Sequence, residues 1–121
     1  MALASSGEAP PDGAGAVDAR IVLVSAPDEA VAQQLARACV EARLAACVNV
    51  LPGVLSVYRW QGRVEQAREC LLLFKTVAAR ISELQAALAR AHPYELPEFV
   101  VLRADEVEPH YLAWLRAESR A

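Results

Sequence analysis

The chain has 121 residues, enough for one domain whose core needs neither metal nor disulfide. Net charge is −3, and Glu8, Asp12 and Asp18 within residues 1–19 account for all of it, leaving a neutral body without the clustered cations of a phosphate-backbone binder. No apolar run nears the ~20 residues that span a bilayer, and Cys39, Cys47 and Cys70 are an odd set with no C-x-x-C. Nucleic-acid binding, membrane insertion and a disulfide framework are therefore all disfavoured.

Reduced thiols point to the cytoplasm. Residues 1–19 are rich in Ala, Gly, Pro and Ser, with no basic start and no long apolar stretch. They read as a flexible tail ahead of a domain over residues 20–121, and not as a secretory signal. Hydrophobic content is 55%, high for a small soluble chain, which predicts apolar surface buried between subunits.

Residues 20–25 (RIVLVS) form a continuous apolar run, the pattern of a central strand buried on both faces. Pro27, Asp28 and Glu29 then open a helix. Val31, Leu35, Ala38, Cys39 and Ala42 recur along it at helical spacing as the expected buried stripe. A strand over residues 46–51 is interrupted by Pro52–Gly53, and a second extended run covers residues 54–60. Gln61–Gly62 is a two-residue turn, and residues 64–75 return as a strand. The register that follows puts Trp60 opposite Arg63, Tyr58 opposite Glu65, Ser56 opposite Ala67 and Val54 opposite Glu69. This hairpin is longer than an ordinary strand pair and should project beyond its own domain.

Thr76 is placed to cap a second helix. Val77, Ile81, Leu84, Leu88 and Ala91 share one face of it, and Pro93 stops it. Residues 97–103 read as a fourth strand. Pro109 starts a last helix with Tyr111, Trp114 and Leu115 on one side. The order is βαββαβ followed by a helix, which predicts an α+β ferredoxin-like sandwich with a long hairpin between the second and third strands.

Two segments carry most of the information: residues 47–76, CVNVLPGVLSVYRWQGRVEQARECLLLFKT, and residues 92–98, HPYELPE. Cys47, Asn49, Pro52, Gly53, Tyr58, Trp60, Gly62, Glu69, Lys75 and Thr76, then His92, Pro93, Tyr94, Glu95, Pro97 and Glu98, and finally Tyr111 and Trp114, stand in an order that resembles the CutA family of divalent-ion tolerance proteins. The resemblance runs from Arg20 to about Leu115. It implies a homotrimer in which the long hairpins pair between subunits, and a link to copper or another divalent cation. One position departs from the family pattern: Val107 stands where the family usually has glycine, so the loop into the last helix should differ, because valine resists positive φ.

Each candidate for chemistry has a plainer reading beside it. Cys39 and Cys70 sit among apolar neighbours and read as small core hydrophobes. Cys47 opens a strand, where it serves either packing or metal binding. His92 follows a helix, where it is either a cation at the negative helix end or a ligand helped by Glu95 and Glu98. Copper(I) takes thiolate and copper(II) takes imidazole and carboxylate. The resemblance puts Cys47 and His92 first as metal ligands.

Lys75 is the only lysine among 12 cationic residues. It is either an exposed strand end or the cation of a pocket between subunits walled by Tyr58, Trp60, Glu69, Tyr94 and Glu95. Such a pocket would take a small anion, by analogy with trimeric signalling proteins of the PII type that act on a partner protein. No Ser-His-Asp set, P-loop, GxGxxG or HExxH occurs, so catalysis is the least favoured class.

Overall fold

The computed structural model describes residues 17–121, and residues 1–16, most of the expected tail, lie outside the described residues. The elements run β1 Ala19–Ala26, α1 Glu29–Glu41, β2 Cys47–Trp60, β3 Arg63–Val77, a single 3-10 turn Ala78–Arg80, α2 Ile81–Ala91, β4 Val100–Arg103 and α3 Pro109–Glu118. The four strands form one antiparallel sheet in the order β2-β3-β1-β4. This is the expected ferredoxin-like arrangement with an added C-terminal helix.

Period-2 alternation along β1 and β3 divides the sheet into two unlike faces. Val22, Val24 and Ala26 of β1, with Cys70, Leu72 and Phe74 of β3, are buried against Ala32, Leu35 and Cys39 of α1 and Leu84 and Leu88 of α2. The alternate residues, Ile21, Leu23 and Ser25 on β1 and Leu71, Leu73 and Lys75 on β3, are only half-buried. Both helices that cover the sheet therefore lie on one side. The apolar run in β1 was expected to be buried on both faces, and a single chain buries one.

Helix α1 starts where the sequence predicts. Asp28 is its N-cap and accepts a hydrogen bond from the Val31 amide at 2.9 Å. Its buried stripe is rotated from the expected one: Ala32 joins Leu35 and Cys39, while Ala38 and Ala42 are exposed. Alanine fits either face, so its spacing alone does not fix the phase of the helix.

Thr76 does not cap α2. It belongs to β3, is fully buried, and its hydroxyl donates to the Leu44 carbonyl at 2.7 Å. The 3-10 turn then intervenes before α2 begins at Ile81. β4 starts at Val100, three residues later than expected, after an irregular stretch through Pro97.

A second, smaller core joins the end of the sheet to α3. Ala19, Val77 and Leu115 are buried there, with Val17, Leu112 and Val107 packed against them. Among the described residues positive φ occurs only at Arg43, Gln61, Gly53 and Gly62, so Val107 meets its valine constraint by packing in an ordinary conformation. Asp18 also belongs to the folded body, since its carboxylate accepts from Arg116 Nε at 2.8 Å and its carbonyl from the Ala78 amide at 2.8 Å. The body thus includes Val17 and Asp18, ahead of the expected boundary at residue 20. No helix among the described residues is long and apolar enough to cross a membrane.

Candidate functional site

The β2–β3 hairpin sets up the site. Gln61 and Gly62 turn the chain at φ 51° and 80°, left-handed values that glycine adopts freely. The observed pairs are those expected: Trp60 with Arg63, Tyr58 with Glu65, Ser56 with Ala67 and Val54 with Glu69. The register shifts between Leu51 and Val54, where Gly53 has φ 70°. Pro52–Gly53 is therefore a bulge inside one long strand and not a break between two.

β1 ends at Ala26, opposite Cys70. From Glu69 outward, β3 pairs with β2 alone, and among the described residues one edge of the arm has no strand beside it. The segment after α2 passes across this gap, and two side chains fix its path. His92 is buried, with Nε2 2.6 Å from the Ser25 carbonyl, while the Tyr94 amide donates to Nδ1 at 3.1 Å. A nitrogen that accepts from an amide carries no proton, so the proton is on Nε2 and is donated to Ser25. Tyr94 then donates its hydroxyl to Glu69 Oε2 at 2.5 Å, and its ring lies 4.8 Å from the His92 ring. Burial, followed by the bond to Glu69, pushes the Tyr94 phenol well above its ordinary range. Tyr94 is therefore a neutral donor at any physiological pH.

These elements enclose a cleft of about 700 Å³. Its walls are Ser25 at the end of β1, Ser56, Val57, Tyr58 and Trp60 on β2, Glu69 on β3, and Tyr94, Glu95, Leu96, Pro97 and Glu98 on the crossing segment. It holds three aromatic rings and three carboxylates, and among the described residues no lysine or arginine lines it.

The structure brings together five of the six residues expected in a pocket: Tyr58, Trp60, Glu69, Tyr94 and Glu95. Lys75 is elsewhere. It pairs with Cys47 on one side and Ile21 on the other, six residues along β3 from Glu69, or about 20 Å at roughly 3.3 Å per residue. Without Lys75 the cleft of a single chain is acidic, the opposite of the sign expected for an anion site. Glu98 completes the carboxylates, and Ser25 was missed. The one polar residue at the end of an apolar strand was the only sign of Ser25 in the sequence.

The two expected metal ligands are also apart. Cys47 lies opposite Ile21 through Lys75, whereas His92 bonds to Ser25, four residues and about 13 Å further along β1. Both His92 nitrogens already have partners. Among the described residues, no group of three or more His, Cys, Asp or Glu is placed to hold a metal ion. The three cysteines are free, but not alike. Burial pushes the Cys39 thiol up to about 11. The Cys70 thiol is also raised, by burial and then by the carboxylates of Glu29 and Asp28. Cys47 is half-buried on the sheet face that the helices leave uncovered.

An α+β sandwich with one bare sheet face, a long two-stranded arm and a His-Pro-Tyr segment locked across the base of that arm defines a narrow structural class. The model of the CutA1 divalent ion tolerance protein family matches residues 20–118, and the chain belongs to that family. A divalent-cation tolerance protein CutA from Thermus thermophilus is 48% identical over 96 residues, covering 79% of this chain and 93% of that one. Its counterpart in Pectobacterium atrosepticum is 44% identical over 103 residues, covering 85% and 94%. The crystal structure of CutA from Xylella fastidiosa superposes with a TM-score of 0.83 at 39% identity, covering 85% of this chain and 99% of that one.

Proposed function

We propose that the chain works as a cytoplasmic homotrimer in divalent-cation tolerance, binding copper without catalysis, with Cys47 as its soft donor. The observation that carries this reading is the position of Cys47. Of the three thiols it alone lies outside the buried core, and it opens β2 on the bare sheet face. Assembly through that face would bring donors of other chains towards it, so the site would be built from more than one subunit. The family description and the names of its relatives support the link to divalent cations. The choice of copper rests on the preference of that metal for thiolate. Three unpaired cysteines support a reducing compartment.

Titration of the reduced trimer with copper(I), with calcium and magnesium in parallel, tests the reading. Copper should bind the most tightly, and Cys47→Ser should weaken it by at least tenfold, about 1.4 kcal/mol. If Cys47→Ser binds copper as tightly as the parent, the assignment of Cys47 is wrong.

A further inference from the structure

The acidic cleft beside the hairpin arm has no part in the copper reading. Its composition is unusual in a definite way: three aromatic rings and three carboxylates, with no cationic side chain in the wall among the described residues of one chain. Aromatic faces carry negative quadrupoles that attract ammonium groups, and carboxylates add net charge of the same sign. Anions are repelled by this combination, and a neutral apolar molecule gains from the rings but not from the carboxylates. The volume, about 700 Å³, lies within the range of small-molecule sites. One wall is also preorganised. Tyr94 is held by its hydroxyl on Glu69 and by the buried His92 ring, so a ligand would not have to order it.

We propose that this cleft binds a small organic cation, an alkylammonium or diamine. The ammonium group lies over Tyr58, Trp60 and Tyr94, and Glu95 and Glu98 supply the opposing charge. Glu69 is already occupied by Tyr94, so it positions that ring and leaves the outer carboxylates to the ligand. The site is separate from Cys47, at the other end of the sheet, and does not depend on copper binding.

The chain has two tryptophans, and only Trp60 lines the cleft. In the full-length Trp114→Phe protein, Trp60 is therefore the sole fluorescent indole. Titration with tetramethylammonium chloride and with 1,4-diaminobutane should each give a saturable change in its emission. Sodium chloride and sodium phosphate at matched ionic strength should give none. Glu95→Gln combined with Glu98→Gln should weaken binding about tenfold, as expected for two partly exposed charges. Both residues are exposed, so an unchanged melting temperature would show that folding is intact. Calorimetry on Trp60→Ala should show a loss of about fivefold or more. The Cys47→Ser protein should bind the ammonium probes normally, which separates this test from that of the copper site. The proposal is overturned if neither ammonium probe gives a saturable response, as when a second copy of the chain fills the cleft. It is equally overturned if phosphate binds, or if the two glutamine substitutions leave affinity unchanged.

Discussion

His92 and Thr76 show how differently a polar side chain reads in sequence and in the folded chain. Both were prominent as candidates, one for a metal and one for a helix cap. Each instead satisfies a backbone group that is remote in sequence: Ser25, 67 positions from His92, and Leu44, 32 positions from Thr76. No local pattern encodes such a pairing, because it depends on how β1, the loop after α1 and the loop after α2 meet. Removing Thr76 or His92 leaves a buried or part-buried carbonyl without its donor, at a cost of about 1–3 kcal/mol. His92→Ala should lower stability to denaturant by at least that much, since the Tyr94 amide also loses its acceptor. Copper affinity of the folded protein should stay the same. A His92→Ala protein as stable as the parent but unable to bind copper would restore this residue as a ligand. Thr76→Val should cost a similar amount, whereas Thr76→Ser, which keeps the hydroxyl, should cost less.

Elements were legible to the degree that their signals were local. The hairpin register followed from a two-residue turn with glycine second, because once the turn is fixed every pair along the arm is fixed with it. Gly62 sits at φ 80° with open space around it, so a Cβ there meets no neighbour and the cost of Gly62→Ala is purely conformational. That substitution should destabilise the protein by about 1–2 kcal/mol in a denaturant melt. The start of α3 was equally legible, from Glu108 and Pro109. Glu108 is the N-cap and accepts from the Tyr111 amide at 2.8 Å, and Pro109 occupies the first turn. The bond from that amide, and then those from His110, hold the Glu108 carboxyl below its ordinary range. A carboxyl with a depressed folded value stabilises the fold above the unfolded value of about 4.3, and its contribution fades as pH falls through the lower folded value. The protection of the amides at the start of α3, relative to their intrinsic exchange rate at each pH, should therefore fall as pH drops below about 4. The Glu108→Gln protein should show a flatter dependence over the same window. The phase of α1 was not legible, since alanines at 32, 38 and 42 are equally acceptable on either face and only packing against the sheet and α2 chose among them.

At the scale of the molecule, the sequence demands more burial than one chain supplies. β1 is apolar on both faces, yet its helices cover one. On the uncovered face Leu51 at one edge is 40% exposed, and Val100 and Leu102 at the other are each 45% exposed, with Leu71 and Leu73 half-buried between them. This apolar band crosses the sheet from edge to edge, and β2 and β4 are the edge strands of the sheet among the described residues. A monomer would leave both features in water, a combination that natural proteins avoid. A closed ring of copies covers this apolar band and pairs the edges, and three is the number implied by the resemblance to CutA proteins. Each pair of chains should bury on the order of 2,000 Å². Sedimentation equilibrium at micromolar concentration should give three times the 13.0 kDa chain mass. Leu73→Lys puts a charge in the middle of the uncovered face without touching the helix-side core. It should lower the sedimenting mass while far-UV circular dichroism shows the strands and helices still formed. A parent protein that sediments as a monomer, or a Leu73→Lys trimer as stable as the parent, would mean that the bare face is covered by something other than its own copies.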